Sequence, residues 1–269
     1  MNDIDSILAH GIPFLMVLTR ITGIFLFTPL LTSTSVPTPF KVMLAFMFSI
    51  AIYPFVPLQN LPETIDLFSL APLLFSELLI GVVIGLIAGL PMVAIQMGGY
   101  VMGYQMGLSL AESYNPELDT NSSVLGQLLF YLSIFIYITV GGFETIFLIL
   151  ADSFQTINAG TMGKGDVPLD MFVEVLSSGF ELALRVASPI MAVVSMLLIA
   201  MGFIMKTMPQ MNIMSFGFSI QIVAGLAILM LTIGTIGMVA GDELIFALET
   251  INDWVHSFAP STPVGGSGG

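Results

Sequence analysis

The chain alternates between long blocks free of Asp, Glu, Lys and Arg and short polar connectors. The uncharged blocks cover 21–40, 42–62, 78–111, 120–143, 186–205 and 207–241. About 20 apolar residues cross the ~30 Å hydrocarbon core of a bilayer as a helix, so the pattern predicts six apolar helices and an all-α fold. The first begins near Gly11 and takes in Arg20; the fourth runs past Glu144 to about Leu150. The block 78–111 is too long for one straight crossing, since a continuous helix over it reaches ~50 Å. Pro91 lies near its middle and removes a backbone donor. Only Gly98-Gly99 punctuates its second half, so one long kinked helix is expected there rather than two hairpins.

The connectors are turns, too short for a soluble domain. TSTSVPTP occupies 32–39, Pro54, Pro57, Pro62 and Pro72 crowd the next connector, and ESYNPELDTNSS at 112–123 is the most polar stretch. Residues 152–170 mix Gly, Asp and Lys164, and Pro209 builds a tight turn at Lys206–Asn212. Residues 1–259 are therefore expected to form one membrane unit. Asp3 and Asp5 replace the basic start of a secretory signal, so this end is expected to be retained. The tail at 260–269, ending in Gly-Gly-Ser-Gly-Gly, reads as an appended flexible linker. Placing the N-terminus outside the cytoplasm puts Lys41 and Lys206 in cytoplasmic turns and Lys164 outside, the better of the two orientations by the positive-inside rule.

Composition agrees with this reading and narrows the function. Of 269 residues, 56% are hydrophobic and 9% charged, against about 25% charged in soluble domains; mean hydropathy is +1.01. A soluble globule of this length cannot hide so much apolar surface. The net charge of −13, from 18 acids and 5 bases, leaves too few cations for a phosphate-binding face and excludes a nucleic-acid binder. There is no cysteine, hence no disulfide scaffold or thiolate chemistry.

Within the blocks, Gly81, Gly85 and Gly89 are spaced by four, as are Gly99, Gly103 and Gly107. Each set lies on one helix face and lets another backbone approach closely. Both are expected to be packing contacts, with a neighbour in this chain or another. The 19 methionines include Met97, Met102 and Met106 in one helix and a group from Met191 to Met214. They serve either as adaptable core filler or as a compliant seal, and spacing does not separate the two. Glu181 and Arg185 stand i,i+4 with the acid first, the favourable order for a helix ion pair with a structural role. Arg20 has no local partner and must find one elsewhere or snorkel. Glu77 and Glu144 are isolated, and His10 and His256 lie near the termini. These residues offer no proton relay, metal site or nucleophile–His–acid set, and no Walker motif is present. No cofactor is expected. Residues 107–123 read either as a solvated connector or as a displaceable loop in a protein-lined path.

Three segments resemble the FliR family of flagellar export-gate proteins. They are TRITGIFLFTPLLTSTSVPTPFK at 19–41, QMGGYVMGYQMGLSLAESYNP at 96–116, and the region 185–226 with its PQMN turn after a long apolar helix. The likeness spans nearly all of 10–245. Lys206 stands where family members often have Arg, and Asn115 where they often have Asp. The related SctT proteins of virulence type III secretion share the pattern; the short acidic start and the Met-rich PQMN region favour the flagellar side.

The resemblance implies a non-catalytic subunit that joins FliP-like and FliQ-like proteins in a gate for export of unfolded flagellar proteins. FlhB-like and FlhA-like proteins are implied neighbours, with a membrane or ring enclosure in the bacterial inner membrane at the flagellar basal body. Residues 10–170 would correspond to a FliP-like part and 171–258 to a FliQ-like part, with a hairpin at 186–240. Lys206, Pro209, Gln210 and Asn212 would mark its cytoplasm-facing tip. Gly107, Ser109, Glu112, Ser113, Tyr114, Asn115 and Pro116 would belong to a plug in the central path, and the glycine stripes would become subunit contacts. Six apolar helices then need not mean six bilayer crossings, because a protein interior and a bilayer both demand internal backbone hydrogen bonds. The rival reading is a small-molecule secondary transporter, which calls for a repeat between halves that the sequence lacks. A membrane enzyme is a third and poorer one, for want of clustered His, Asp or Glu.

Overall fold

The computed structural model describes residues 2–28, 37–56, 67–108, 123–157, 169–207 and 213–258. Among them every regular element is helical. In chain order they are α1 (Asn2–Phe27), α2 (Thr38–Ile52) with a 3-10 turn (Tyr53–Phe55), α3 (Leu67–Gln105), α4 (Val124–Thr139), α5 (Gly142–Thr156), α6 (Leu169–Thr207) and α7 (Ile213–His256).

Local chemistry sets several ends. α2 starts with Pro39 in its first turn, where a missing N–H costs nothing. α3 runs without a break through Pro91 and stops at Gly107, whose φ of +78° only glycine adopts cheaply. Gly141, at φ +75°, separates α4 from α5 in the same way. The sequence pattern predicted one helix across that point.

Four helices are long and apolar enough to cross a membrane: α2 with its 3-10 turn, α3, α6 and α7. The α4–α5 pair passes the same test together, and Gly11–Phe27 adds a shorter apolar helix. This agrees with about six apolar segments. Two lengths differ from expectation. α6 has 39 residues and α7 has 44, about 58 and 66 Å at 1.5 Å per residue, roughly twice the hydrocarbon thickness. Charges used to bound them, Arg185 and Lys206 in α6 and Asp242 in α7, sit inside the helices. A charge is costly in lipid but not in a helix, so charge-free runs measure apolar segments and underestimate helix length.

Inter-residue contacts divide the chain into two compact units. The first comprises residues 1–89, 143–172 and 247–269; the second comprises 90–142 and 173–246. In the first, α1 and α3 touch backbone to backbone. A Cβ on Gly85 would stand 2.6 Å from the Ile24 carbonyl oxygen, and one on Gly81 would collide with that of Arg20. Val17 and Ile21 of α1 and Ile80, Ile84 and Ile87 of α3 are buried. Rings extend the packing towards α2 and α5: Phe48 lies 6.1 Å from Phe25 and 4.3 Å from Phe147.

The second unit is built on the other half of α3. Ile95, Met102 and Met106 pack with Leu125 and Leu129 of α4, with Leu182, Val186, Ile190 and Val194 of α6, and with Leu229, Ile236 and Ala240 of α7. The buried positions of α6 and α7 recur at helical spacing, a single stripe on each. Gly99 faces the Gly126 backbone, where a Cβ would stand at 2.7 Å.

These contacts separate two kinds of glycine. Gly85→Val should cost about 3 kcal/mol, because the obstruction is backbone and overpacking has no rotamer escape. Gly202, with nothing within 4 Å of an added Cβ, should gain about 0.5–1 kcal/mol as Ala from helix propensity. Thermal unfolding of the detergent-purified variants measures both.

Candidate functional site

Charge is scarce in this protein, and the first unit buries a pair of charges. Arg20 of α1 is 1% exposed and Glu77 of α3 fully buried. Arg20 donates through Nε and Nη2 to Glu77 Oε2 at 2.7 and 2.6 Å, and through Nη1 to Ser153 Oγ of α5 at 2.9 Å. Ser153 in turn donates to the Leu150 carbonyl at 2.7 Å. The guanidinium carbon lies 3.9 Å from the centre of the Phe154 ring, a cation–π contact strengthened by the dry surroundings. Glu77 is thus not isolated, and Arg20 meets an acid instead of snorkelling. Each ion would be prohibitively costly alone; together, with a hydroxyl and an aromatic face, they neutralise each other and tie three helices to one register.

The second unit holds smaller polar links. Gln105 donates to Ser195 at 3.3 Å, and Ser178 donates to Glu243, joining α6 to α7. Elsewhere hydroxyls serve their own helices: Ser49 and Ser133, both buried, donate to carbonyls one turn back. Glu181 and Arg185 form the expected pair at 2.5 Å, with side chains 69% and 58% exposed.

The end of α3 gathers aromatic and sulfur side chains. A Cβ on Gly107 would stand 2.9 Å from the Phe218 ring, and one on Gly225 would lie 2.6 Å from Met106. Met102, Met106 and Met201 are buried, whereas Met196, Met205 and Met230 are exposed, so the methionines divide between core and surface. Gly107 lies two residues past the end of α3 and is the first residue of the expected plug. Ser109, Glu112, Ser113, Tyr114, Asn115 and Pro116 lie outside the described residues, as do Pro209, Gln210 and Asn212. Lys206 is exposed in the last turn of α6. Of the glycine stripes, Gly81 and Gly85 meet α1, Gly99 meets α4, Gly103 meets Ser123, and Gly89 is buried on α3. The neighbours found for these glycines are in this chain.

Sequence reasoning missed Ser153 and Phe154 as partners of Arg20, 133 residues away in the case of the serine. The available signal was arithmetic: a mid-span arginine needs an acid, and Glu77 lies inside an apolar helix. Among the described residues, no three His, Asp or Glu side chains form a metal-binding group.

Long apolar helices around a self-neutralised ion pair define a polytopic protein of the membrane type. More narrowly, the chain belongs to the bacterial export proteins, family 1, whose profile matches residues 12–245. It is similar to the flagellar biosynthetic protein FliR of Bacillus subtilis (strain 168), 25% identical over 243 residues that cover 89% of this chain and 93% of the relative. FliR of Escherichia coli (strain K12) is 27% identical over 215 residues, 79% of this chain and 80% of the relative. The Yop proteins translocation protein T of Yersinia pestis is 25% identical over 209 residues, 76% and 79% of the two chains. These relatives bear out the resemblance to the FliR family and its kinship with virulence secretion.

Truncating one buried ion should be far worse than removing both. Arg20→Met should cost about 3–5 kcal/mol by stranding Glu77, and Arg20→Met with Glu77→Leu should recover most of it. The exposed pair predicts the reverse: Glu181→Gln should change stability by less than about 0.5 kcal/mol. Chemical denaturation in one detergent compares all three.

Proposed function

We propose that the chain is a structural and gating subunit of a flagellar type III protein export gate, assembled with FliP and FliQ homologues, through which unfolded flagellar proteins leave the cytoplasm. The observation that carries this reading is the family match along 12–245, with flagellar FliR proteins covered over most of their length. The surface supports it. On α6, Met196, Ile199 and Phe203 are exposed, and on α7 Val223, Met230 and Leu231. Both helices outrun the hydrocarbon thickness about twofold, so one crossing cannot cover them. Neighbouring subunits supply the remaining cover.

On this reading residues 10–170 form the FliP-like part and 171–258 the FliQ-like part, with Lys206 and the following turn, through Pro209, Gln210 and Asn212, towards the cytoplasm. The segment from Gly107 to Ser123 plugs the path, and Gly107 gives it a fixed point of departure from α3. FlhB-like and FlhA-like proteins adjoin the assembly in the bacterial inner membrane at the flagellar basal body. The chain performs no catalysis and binds no cofactor, so energy for export comes from elsewhere.

Co-purification tests the assembly. Wild-type chain should retain FliP and FliQ homologues, and Met230→Glu with Val223→Glu should reduce their recovery at least tenfold while leaving the helical circular dichroism unchanged. Undiminished recovery argues against α7 as the covered surface; absence of both homologues from the wild-type preparation overturns the gate reading. Deleting 109–116 should raise ion leakage through assembled gates in vesicles, and unchanged leakage from an intact complex removes the plug.

A further inference from the structure

One row of α6 points away from the core. Glu174, Ser177, Glu181, Arg185 and Ser188 follow one another at steps of three and four, and Ala192, Met196, Ile199 and Phe203 continue the row. Every one of them is exposed, and the row ends on exposed Lys206. Val175, Leu182, Val186, Ile190 and Val194 make up the buried face opposite. The chemistry of the outer row changes once: side chains are polar up to Ser188 and apolar from Ala192 to Phe203.

A helix face that meets one medium throughout keeps one character. Glu181 and Arg185 pair at 2.5 Å yet keep 69% and 58% of their side chains exposed, so pairing neutralises the charges without drying them. Hydrocarbon penalises such groups and welcomes Met196, Ile199 and Phe203. The lengths agree as well. From Ser188 to Lys206 is about 27 Å at 1.5 Å per residue, close to the ~30 Å of bilayer hydrocarbon. A cation stands at either border, Arg185 and Lys206, each with a long apolar stem that reaches a headgroup layer. Beside the polar half, Ser178 donates to Glu243 of α7, and the adjacent Asp242 is exposed, so α7 also carries charge at that level. Exposed Val173, Phe180 and Leu184 lie to one side of the polar row. A neighbouring protein that covers them leaves the row wet.

We propose that α6 changes medium near Ser188: bilayer hydrocarbon meets its outer row from Ala192 to Phe203, and the turns from Glu174 to Ser188 stand beyond the hydrocarbon with that row facing water. The inference goes beyond the export-gate reading and does not depend on it.

The chain has no cysteine, so single cysteines report one place each. Ser177→Cys, Ser188→Cys, Met196→Cys and Ile199→Cys are made in the full chain and reconstituted in phosphatidylcholine vesicles, with a charged maleimide on both sides of the membrane. Positions 177 and 188 should react about tenfold faster than 196 and 199, and all four alike after unfolding in dodecyl sulfate. A bimane carried at 199 should be quenched by lipids with nitroxides on their acyl chains, and one at 177 should not. Ala192→Cys and Phe203→Cys replace any apolar position whose variant loses the wild-type circular dichroism. Among variants that keep it, equal reactivity at 177 and 199, whether fast or slow, overturns the proposal. So does loss of reactivity at 177 and 188 when the chain is purified with FliP and FliQ homologues, because a dry protein surface then covers the polar row.

Discussion

An arginine inside an apolar helix must be neutralised before the helix can be buried. In this protein that requirement fixes the place of α1. Arg20 reaches Glu77 on α3 and Ser153 on α5, and its flat face covers Phe154. Neither α1 nor α3 can turn about its axis or slide by a residue without stranding a charge, and a shift of α5 withdraws a hydroxyl and a ring from the guanidinium. Apolar side chains alone specify no such register, since leucine or methionine packs tolerably in many positions. The glycines at 81 and 85 complete the constraint. They bring the α1 and α3 backbones into contact at Arg20 and again one turn later at Ile24, close enough for the short hydrogen bonds of the pair.

The second unit obeys a different rule. Its core cluster is hydrocarbon and thioether, with stripes of α6 and α7 turned inward and large apolar side chains of both helices also turned outward. In water the outer stripes would be polar. An outward apolar stripe therefore states a condition on the surroundings, and helix length adds a second one. Only part of a helix of about 58 or 66 Å fits a ~30 Å hydrocarbon layer, and the exposed Glu181–Arg185 pair lies in the half of α6 poorer in apolar surface. The two halves of these helices thus call for different neighbours.

Much of this was legible in the sequence. Composition required a membrane protein, the lengths of the charge-free blocks made it all-helical, and the i,i+4 spacing of Glu181 and Arg185 gave their pairing. Glycine spacing gave close approach but not the partner, which depends on the path of the chain. The break at Gly141 was hidden because Val-Gly-Gly carries no polar residue and hydropathy does not register a positive φ. The lengths of α6 and α7 were hidden because charge was used as a boundary. The link from Arg20 to Ser153 was beyond reach, as no spacing rule joins residues 133 apart. For the candidate plug and the PQMN turn, the FliR resemblance supplied roles that the spacing of their residues could not.

The outward stripes of α6 and α7 also bear on the fate of the chain before its surroundings are complete. Each copy made in excess carries an adhesive surface that none of the described residues covers. Such orphans either clump or fall to proteolysis. On the export-gate reading, the surface that subunits would cover also sets how long an unaccompanied copy survives.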